Sequence, residues 1–154
     1  MPFKHINMAD LPVHRNTKHP AYAFTRKEFI KRGEASETLV SIYEIPPGQS
    51  AFPYHYHLKD EETFFILRGE GLLRTPEGTQ PVRPGDLLFF PAGDEGTHKL
   101  TNTSATEALV YIDFDVIHDL DAAIYPDSGK IGVWGKGVNR VYHLDDNAAY
   151  YDGE

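Results

Sequence analysis

Side chains that commonly bind metal ions lie in two short stretches of this sequence. His55 and His57 are separated by one residue and are followed by three consecutive acidic residues, 60–62, while His98 lies beyond a Pro-x-Gly turn. Imidazole together with carboxylate suits divalent iron, manganese, nickel, copper or zinc, whereas calcium and magnesium prefer all-oxygen sites. The sequence therefore predicts a site for one divalent transition metal, whose identity the residues leave open.

The two neighbouring histidines can reach one ion if they lie on a β-strand. The stretch around His55 and His57 is rich in Phe and Tyr and follows Pro53, which favours a strand. Residues two apart in a strand point to the same face. Both imidazoles are therefore expected to project into the same space.

The pattern of the sequence leaves the choice of carboxylate open between Glu61 and Glu62. Counting by twos from Glu62 places Phe64 and Ile66 on the inner face of the next strand. Counting from Glu61 instead places an almost equally apolar set inside, namely Thr63, Phe65 and Leu67.

Short strands separated by Gly- and Pro-containing turns must position these residues. The segment before the histidines, 38–45, is β-branched and aromatic and ends at Pro46-Pro47-Gly48. Further strands are expected at 63–67, 72–74, 86–90 and 107–114. Such spacing, without helical periodicity, is typical of an all-β antiparallel sandwich or barrel. The predicted barrel core spans about 38–115 within a single domain, 1–154.

The segments on either side of this core differ in charge. The N-terminal arm, 1–32, has a net charge of +5, and residues 33–154 have a net charge of −13. Such an arm packs on its own domain, packs on a second subunit or stays solvated, and the sequence does not choose. The C-terminal tail, 116–154, is rich in turns and aromatic residues, so it is expected to pack on the barrel.

Composition excludes several classes of function. The net charge of −8 argues against nucleic acid as a partner. No run approaches the roughly 20 apolar residues of a membrane span, so no membrane partner is expected. There is no cysteine and no apolar leader segment, which is compatible with a cytoplasmic location. Ser128-Gly129-Lys130 lacks the full pattern of a phosphate loop, so no nucleotide cofactor is expected.

The glycines, histidines and acidic residues together resemble the two motifs of the cupin superfamily. The motif-like patterns are Gly48-x6-His55-x-His57-x4-Glu62-x6-Gly69 and Gly85-x5-Pro91-x-Gly93-x4-His98-x3-Asn102. The matched region covers roughly residues 38–115. In short stretches of sequence the chain is also similar to an uncharacterised bacterial branch of single-domain cupins.

The resemblance implies a small antiparallel double-stranded β-helix, the jelly-roll barrel of the cupins. It implies a metal site near one mouth of the barrel, with the ligands His55, His57, Glu62 and His98. The family spacing favours Glu62 over Glu61. It also implies a homodimer, because cupins often associate through N-terminal strands or sheet packing.

A small molecule is the expected partner of such a site. Phe64 and Ile66 follow from Glu62 by parity and Leu100 follows from His98, while Tyr43 and Tyr111 lie on central strands. These five residues are the predicted substrate pocket, and each also suits ordinary barrel filling. The sequence offers no general base beyond the metal ligands.

The expected function is that of a metal-dependent enzyme acting on a small organic acid, enol or sugar-like compound. The resemblance places an oxygenase-type oxidoreductase slightly ahead of an isomerase. The alternative is a non-catalytic, metal-bearing protein that binds a small molecule, and a third possibility is a purely structural metal. Fold alone does not distinguish these functions.

Overall fold

Antiparallel β-strands make up most of the computed structural model, which describes residues 2–154. The strands are β1 Val13–His19, β2 Tyr22–Ile30, β3 Thr38–Ile45, β4 Tyr56–His57, β5 Glu61–Arg68, β6 Gly71–Thr75, β7 Gly78–Val82, β8 Leu87–Phe90, β9 Lys99–Asn102, β10 Leu109–Val116, β11 Leu120–Tyr125, β12 Lys130–Gly135 and β13 Val138–His143. Three single-turn 3-10 helices are Met8–Asp10, Asp94–Gly96 and Pro126–Ser128. No helix within residues 2–154 has the length and apolarity to cross a membrane.

The strands form three sheets that enclose one interior. A six-stranded sheet has the order β1-β2-β3-β10-β5-β8, a second has the order β13-β12-β11-β4, and a third has the order β7-β6-β9. Neighbouring strands in each sheet are antiparallel. The predicted all-β, antiparallel double-stranded β-helix is confirmed.

The alternation of side chains along β5 determines what faces the interior. Phe64 and Ile66 are buried, while Thr63, Phe65 and Leu67 between and beside them are only partly buried. Because Glu62 shares the face of Phe64 and Ile66, its carboxylate points into the barrel. The interior cluster below it consists of Tyr43, Ile45, Ala51, Phe64, Ile66, Leu73, Val82, Phe90, Leu100, Leu109 and Tyr111.

The N-terminal segment packs on its own domain and is not a solvated arm. β1 pairs with β2, and β2 pairs with β3 through a register that places Lys27 opposite Ile42. The two strands β1 and β2 thus extend the six-stranded sheet.

Much of the C-terminal tail also belongs to the sheets, which therefore extend past the predicted barrel core. Residues 144–154, however, form no strand and are exposed, so the expectation that the whole tail packs on the barrel is wrong for this part. β11 pairs with the short strand β4, with Ala123 opposite His57 and Ile124 opposite Tyr56. β12 and β13 continue that sheet outward. A two-residue strand such as β4 has little stability of its own, so β11 holds the histidine segment in place.

Two glycines allow the chain to pass tightly from β5 to β6. Gly69 has a φ of +80°, and a Cβ there would lie 2.4 Å from the backbone oxygen of Ala108. A Cβ on Gly71 would lie 2.4 Å from the backbone oxygen of Thr101. Any side chain at these positions would force the neighbouring strands apart.

Candidate metal centre

Backbone pairing brings the two histidine segments together. The amide of His55 donates to the carbonyl of His98 over 3.1 Å, and the amide of His98 donates back over 2.9 Å. His57 is fixed by its pairing with β11. The ring centres of His55 and His98 are consequently 4.7 Å apart, and those of His55 and His57 are 5.2 Å apart.

The Nε2 atoms of all three imidazoles converge on the carboxylate of Glu62. One Glu62 oxygen lies 3.2 Å from Nε2 of His98 and 3.9 Å from Nε2 of His55, and the other lies 3.9 Å from Nε2 of His57. The structure thus brings the four predicted ligands into one cluster.

The other ring nitrogen of each histidine already has a hydrogen-bond acceptor. Nδ1 of His55 donates to the carbonyl of Pro53, and Nδ1 of His98 donates to the carbonyl of Gly96, both over 2.9 Å. Nδ1 of His57 lies 2.5 Å from Oδ2 of Asp121. A proton held at Nδ1 leaves the Nε2 lone pair of the neutral ring free toward the centre of the cluster, as a metal ligand requires.

Glu62, and not Glu61, is the carboxylate at this cluster. Its Oε2 atom is buried and has no hydrogen-bond partner in the part of the chain that the structure describes. An unpaired buried acceptor is costly. The Nε2 atoms of three imidazoles, which bind a metal in their neutral form, and this orphaned oxygen together fit a divalent transition metal.

Burial and neighbouring charges shift the pKa values of the four groups in different directions. Burial lowers the pKa of His55 to about 4, and it holds the pKa of His98 well below its ordinary value. Burial also opposes the charged form of His57, but Asp121 and Glu62 outweigh it and raise the pKa of His57 to about 9. Burial raises the pKa of Glu62 to about 8, against the attraction of His57.

Asp121 is a residue of the site that the sequence did not reveal. Its side chain is fully buried, and Oδ1 accepts hydrogen bonds from the amides of Lys59 and Asp60. These bonds orient the carboxylate toward His57. The signal that could have found it is the alternation of β11, which places Asp121, Ala123 and Tyr125 on one face.

Tyr125 is a second unforeseen neighbour of the site. Its ring stacks on His55 with centres 5.8 Å apart and an angle of 18° between the planes. Burial raises the pKa of its phenol, and the charges of Glu62 and Asp121 add to the shift. The phenol therefore stays protonated at neutral pH beside the imidazole cluster.

The five predicted pocket residues all lie in the barrel core. Phe64, Leu100 and Tyr111 line a cavity of only about 10 Å³ next to His55 and His98, which is room for about one water molecule. Tyr43 and Ile66 pack in the same cluster without lining that cavity. The interior below the histidines is therefore filled by protein.

The remaining histidines lie outside the cluster. His118 contacts Asp60 over 3.2 Å, and the others are exposed, namely His5, His14, His19 and His143.

Comparisons with known proteins relate the central part of the chain to a family. Residues 41–116 match the family model of the cupin domain. Over 69 residues the chain is 32% identical to the oxalate-binding protein of Thermotoga maritima, covering 45% of this chain and 54% of that protein. The chain thus spans about half the length of this relative.

Solved structures resemble this chain beyond its central part, in the N-terminal arm and the C-terminal tail. A sugar phosphate isomerase of the cupin superfamily from Silicibacter pomeroyi matches 97% of this chain and 98% of its own, with a TM-score of 0.82 and 19% identity. A polyketide cyclase from Streptomyces resistomycificus matches 76% of this chain and 81% of its own, with a TM-score of 0.64 and 21% identity. At these identities the likeness is one of fold.

Proposed function

This chain is a small cupin-domain protein, and we propose that it binds one divalent transition metal and uses it on a small, oxygen-rich molecule. The proposed ligands are His55, His57, Glu62 and His98. The observation that carries the proposal is the convergence of three Nε2 atoms on the Glu62 carboxylate, within 3.2–3.9 Å.

A metal held by three neutral imidazoles and one carboxylate would keep a net positive charge. When bound, such an ion supplies Lewis acidity and orients a chelating substrate. Structural zinc sites are instead commonly closed by four protein ligands that include cysteine, which this chain lacks. The donor set therefore favours a functional site over a structural one.

The residues around the site define the side from which a small molecule approaches. His57 has a side-chain exposure of 16%, against 7% for His55 and 3% for His98. The deep side of the cluster is closed by aromatic core residues such as Phe90, whose ring stacks on His98 at 3.7 Å between centres. A substrate therefore reaches the site past His57, and the deep apolar wall excludes water.

Two further residues would assist the reaction. Asp121 holds His57 in the tautomer and orientation that a ligand needs. The Tyr125 phenol, protonated at neutral pH, would offer a hydrogen bond to a substrate oxygen beside His55. Neither residue requires a change in the fold to act.

Isomerisation of a sugar-like hydroxycarbonyl compound is the first reaction to test. It is supported by a fold likeness that includes the N-terminal strands and the C-terminal strands, with 97% of this chain covered. An oxygenase-type oxidation is the second, and it is supported by the donor set, which suits redox-active iron or manganese. A non-catalytic binder of small dicarboxylates is the third, and it is supported by the oxalate-binding relative.

The test begins with elemental analysis of protein purified without an affinity tag or chelator. The loaded protein is then incubated with sugar phosphates and with oxalate, with and without oxygen. An isomer formed from a sugar phosphate without oxygen supports isomerisation, and product that requires oxygen supports the oxidation. Thermal stabilisation by oxalate without product supports the binder. A protein that refuses every added transition metal contradicts the whole proposal.

We also propose that the protein is a homodimer that associates through the outer face of the six-stranded sheet. This face carries exposed apolar side chains, namely Leu87, Phe89, Phe114 and Val116. Light scattering on Phe89→Glu should show a monomer, whereas Tyr150→Glu, at another exposed aromatic residue, should stay dimeric. A wild-type monomer at high concentration contradicts the dimer.

A further inference from the structure

Unpaired polar atoms are concentrated on one inner surface of the barrel. Six buried side-chain atoms in the described residues have no hydrogen-bond partner, and one of them belongs to Gln49. The other five belong to neighbouring strands of the six-stranded sheet, namely Arg26 Nε, Ser41 Oγ, Glu62 Oε2, Asp113 Oδ1 and Asp115 Oδ1. Buried polar atoms are normally paired, and a cation can be the missing partner of the four oxygen atoms, although not of the Arg26 N–H donor.

The register of the strands places these residues side by side. Asp113 lies opposite Ser41 on β3, and Asp115 lies opposite Glu62 on β5. Asp113 and Asp115 are two apart on β10, so they share its inner face. Ser41 is 1% exposed and Asp113 is 3% exposed. The hydroxyl of Ser41 thus adjoins a pair of buried carboxylates that continues to Glu62.

We propose that Asp113, Asp115 and Glu62 hold a second divalent cation through oxygen atoms alone, with Ser41 as a neutral donor. One oxygen from each of the three carboxylates lies within 4.8 Å of the others. Oxygens on opposite sides of an ion at about 2.3–2.6 Å are about 4.6–5.2 Å apart. The three oxygens can therefore share one cation, and Glu62 would bridge it to the histidine cluster.

The charge balance supports a cation at this position. Among residues 2–154, neither Asp113 nor Asp115 forms an ion pair with a basic side chain. Arg26 attracts the Asp113 carboxylate, but one guanidinium does not balance two buried carboxylates, which are strongly unfavourable without further positive charge. The +2 charge of one divalent ion would balance the two negative charges of Asp113 and Asp115.

The chemistry of the donors distinguishes this site from the histidine cluster. Oxygen-only donors suit hard cations such as Mn²⁺ or Ca²⁺, whereas imidazoles suit later transition metals. The competing explanation is a single proton shared between Asp113 and Asp115, which would also remove the repulsion. The two explanations differ in the number of cations bound.

The experiment measures Mn²⁺ bound to metal-free protein by equilibrium dialysis and elemental analysis. The expected result is two equivalents for the wild type and one each for Asp113→Asn and Asp115→Asn. Asp119→Asn, at an exposed carboxylate nearby in the chain, should keep both. His57→Ala should lose the Mn²⁺ ion of the histidine cluster and keep the second one. Failure of this site and failure of the histidine site therefore give different numbers of bound ions in the two sets of variants.

Electron paramagnetic resonance gives an independent reading with the same ion. Two Mn²⁺ ions that share Glu62 broaden each other's signals, and Asp113→Asn should restore the resolved pattern of an isolated ion. If the aspartate variants fail to fold, Ser41→Ala provides the test instead, because it removes no charge. It should weaken binding of the second Mn²⁺ ion. One equivalent in the wild type, with an infrared band of a protonated carboxyl that disappears in Asp113→Asn, would overturn the proposal in favour of the shared proton.

Discussion

The hydrogen bond between Asp121 and His57 makes a sharp prediction about metal affinity and pH. Asp121→Asn keeps the shape of the side chain, and its amide oxygen can still accept from the amides of Lys59 and Asp60. It removes the negative charge that lies 2.5 Å from Nδ1 of His57. The amide NH2 group then faces Nδ1 of His57 in place of Oδ2, which favours the tautomer with the proton on Nε2 and weakens His57 as a ligand.

The number of protons displaced by the metal follows from the pKa values of the metal-free protein. The pKa of His57 is about 9 and that of Glu62 is about 8. Asp121 keeps His57 protonated at pH 7, so binding one ion should release the His57 proton in addition to any proton that Glu62 loses. In Asp121→Asn burial dominates at His57, its pKa falls, and the release at pH 7 should drop by about one proton.

The effect on affinity has two parts of opposite sign. Loss of a carboxylate partner weakens a histidine ligand, typically by 10–100-fold. The wild type, however, loses about 100-fold at pH 7 because a proton with a pKa of about 9 must leave His57 first. The variant avoids most of that penalty. We therefore expect a 10–100-fold deficit at pH 9.5 that largely disappears at pH 7.

The assay is competition with a chelator for Zn²⁺ at both pH values, together with calorimetry in buffers of different ionisation enthalpy to count protons. Asp119→Asn is the matched control and should behave as the wild type. An equal deficit at both pH values, with as many protons released by Asp121→Asn as by the wild type, would refute the reasoning.

The stability of the metal-free protein gives a separate check on the same contact. A folded pKa of about 9 for His57, against an unfolded value of about 6.5, stabilises the fold by at most about 3 kcal/mol. This contribution is complete below pH 6.5 and is lost as the pH rises through 9. Urea unfolding should show that Asp121→Asn is less stable than the wild type at pH 6, with the gap closing by pH 10.

Three further substitutions test the site and the fold. His57→Ala should lose most of its bound metal by elemental analysis while its circular dichroism stays that of the folded barrel; full metal content would remove it from the site. Glu62→Gln should weaken metal binding more than Glu61→Gln, and the reverse order in a titration would reassign the carboxylate. Gly71→Ala should lower the free energy of unfolding by about 1–3 kcal/mol, because its Cβ would lie 2.4 Å from the oxygen of Thr101; unchanged thermal stability would contradict this.

The four predicted metal ligands could be identified because they lie in two short segments of the sequence, each with its own residue spacing. Parity along β5 alone left two sets open; counted from Glu62, which the cupin spacing favoured, it placed Phe64 and Ile66 inside, and the structure agrees. Asp121 could not be found in this way, because it reaches His57 from 64 residues further along the chain. Its position depends on the pairing of β11 with β4, which no local pattern encodes.

The N-terminal strands were missed for a different physical reason. β1 lies at the edge of the sheet, and six of its seven residues are exposed. An edge strand that is exposed to solvent on both faces does not require alternating apolar residues, so its sequence shows no regular pattern. The basic charge of this segment indicated a surface, but it did not indicate which surface.

The dependence of β4 on β11 also has a consequence for how the protein is made. A chain that has emerged only as far as β10 already contains His55, His57, Glu62 and His98. It lacks both the strand that holds β4 and the carboxylate that orients His57. The proposed centre is therefore complete only once β11 has also been synthesised. A metal ion in that centre would be held by a chain that includes β11, and not by a shorter nascent chain.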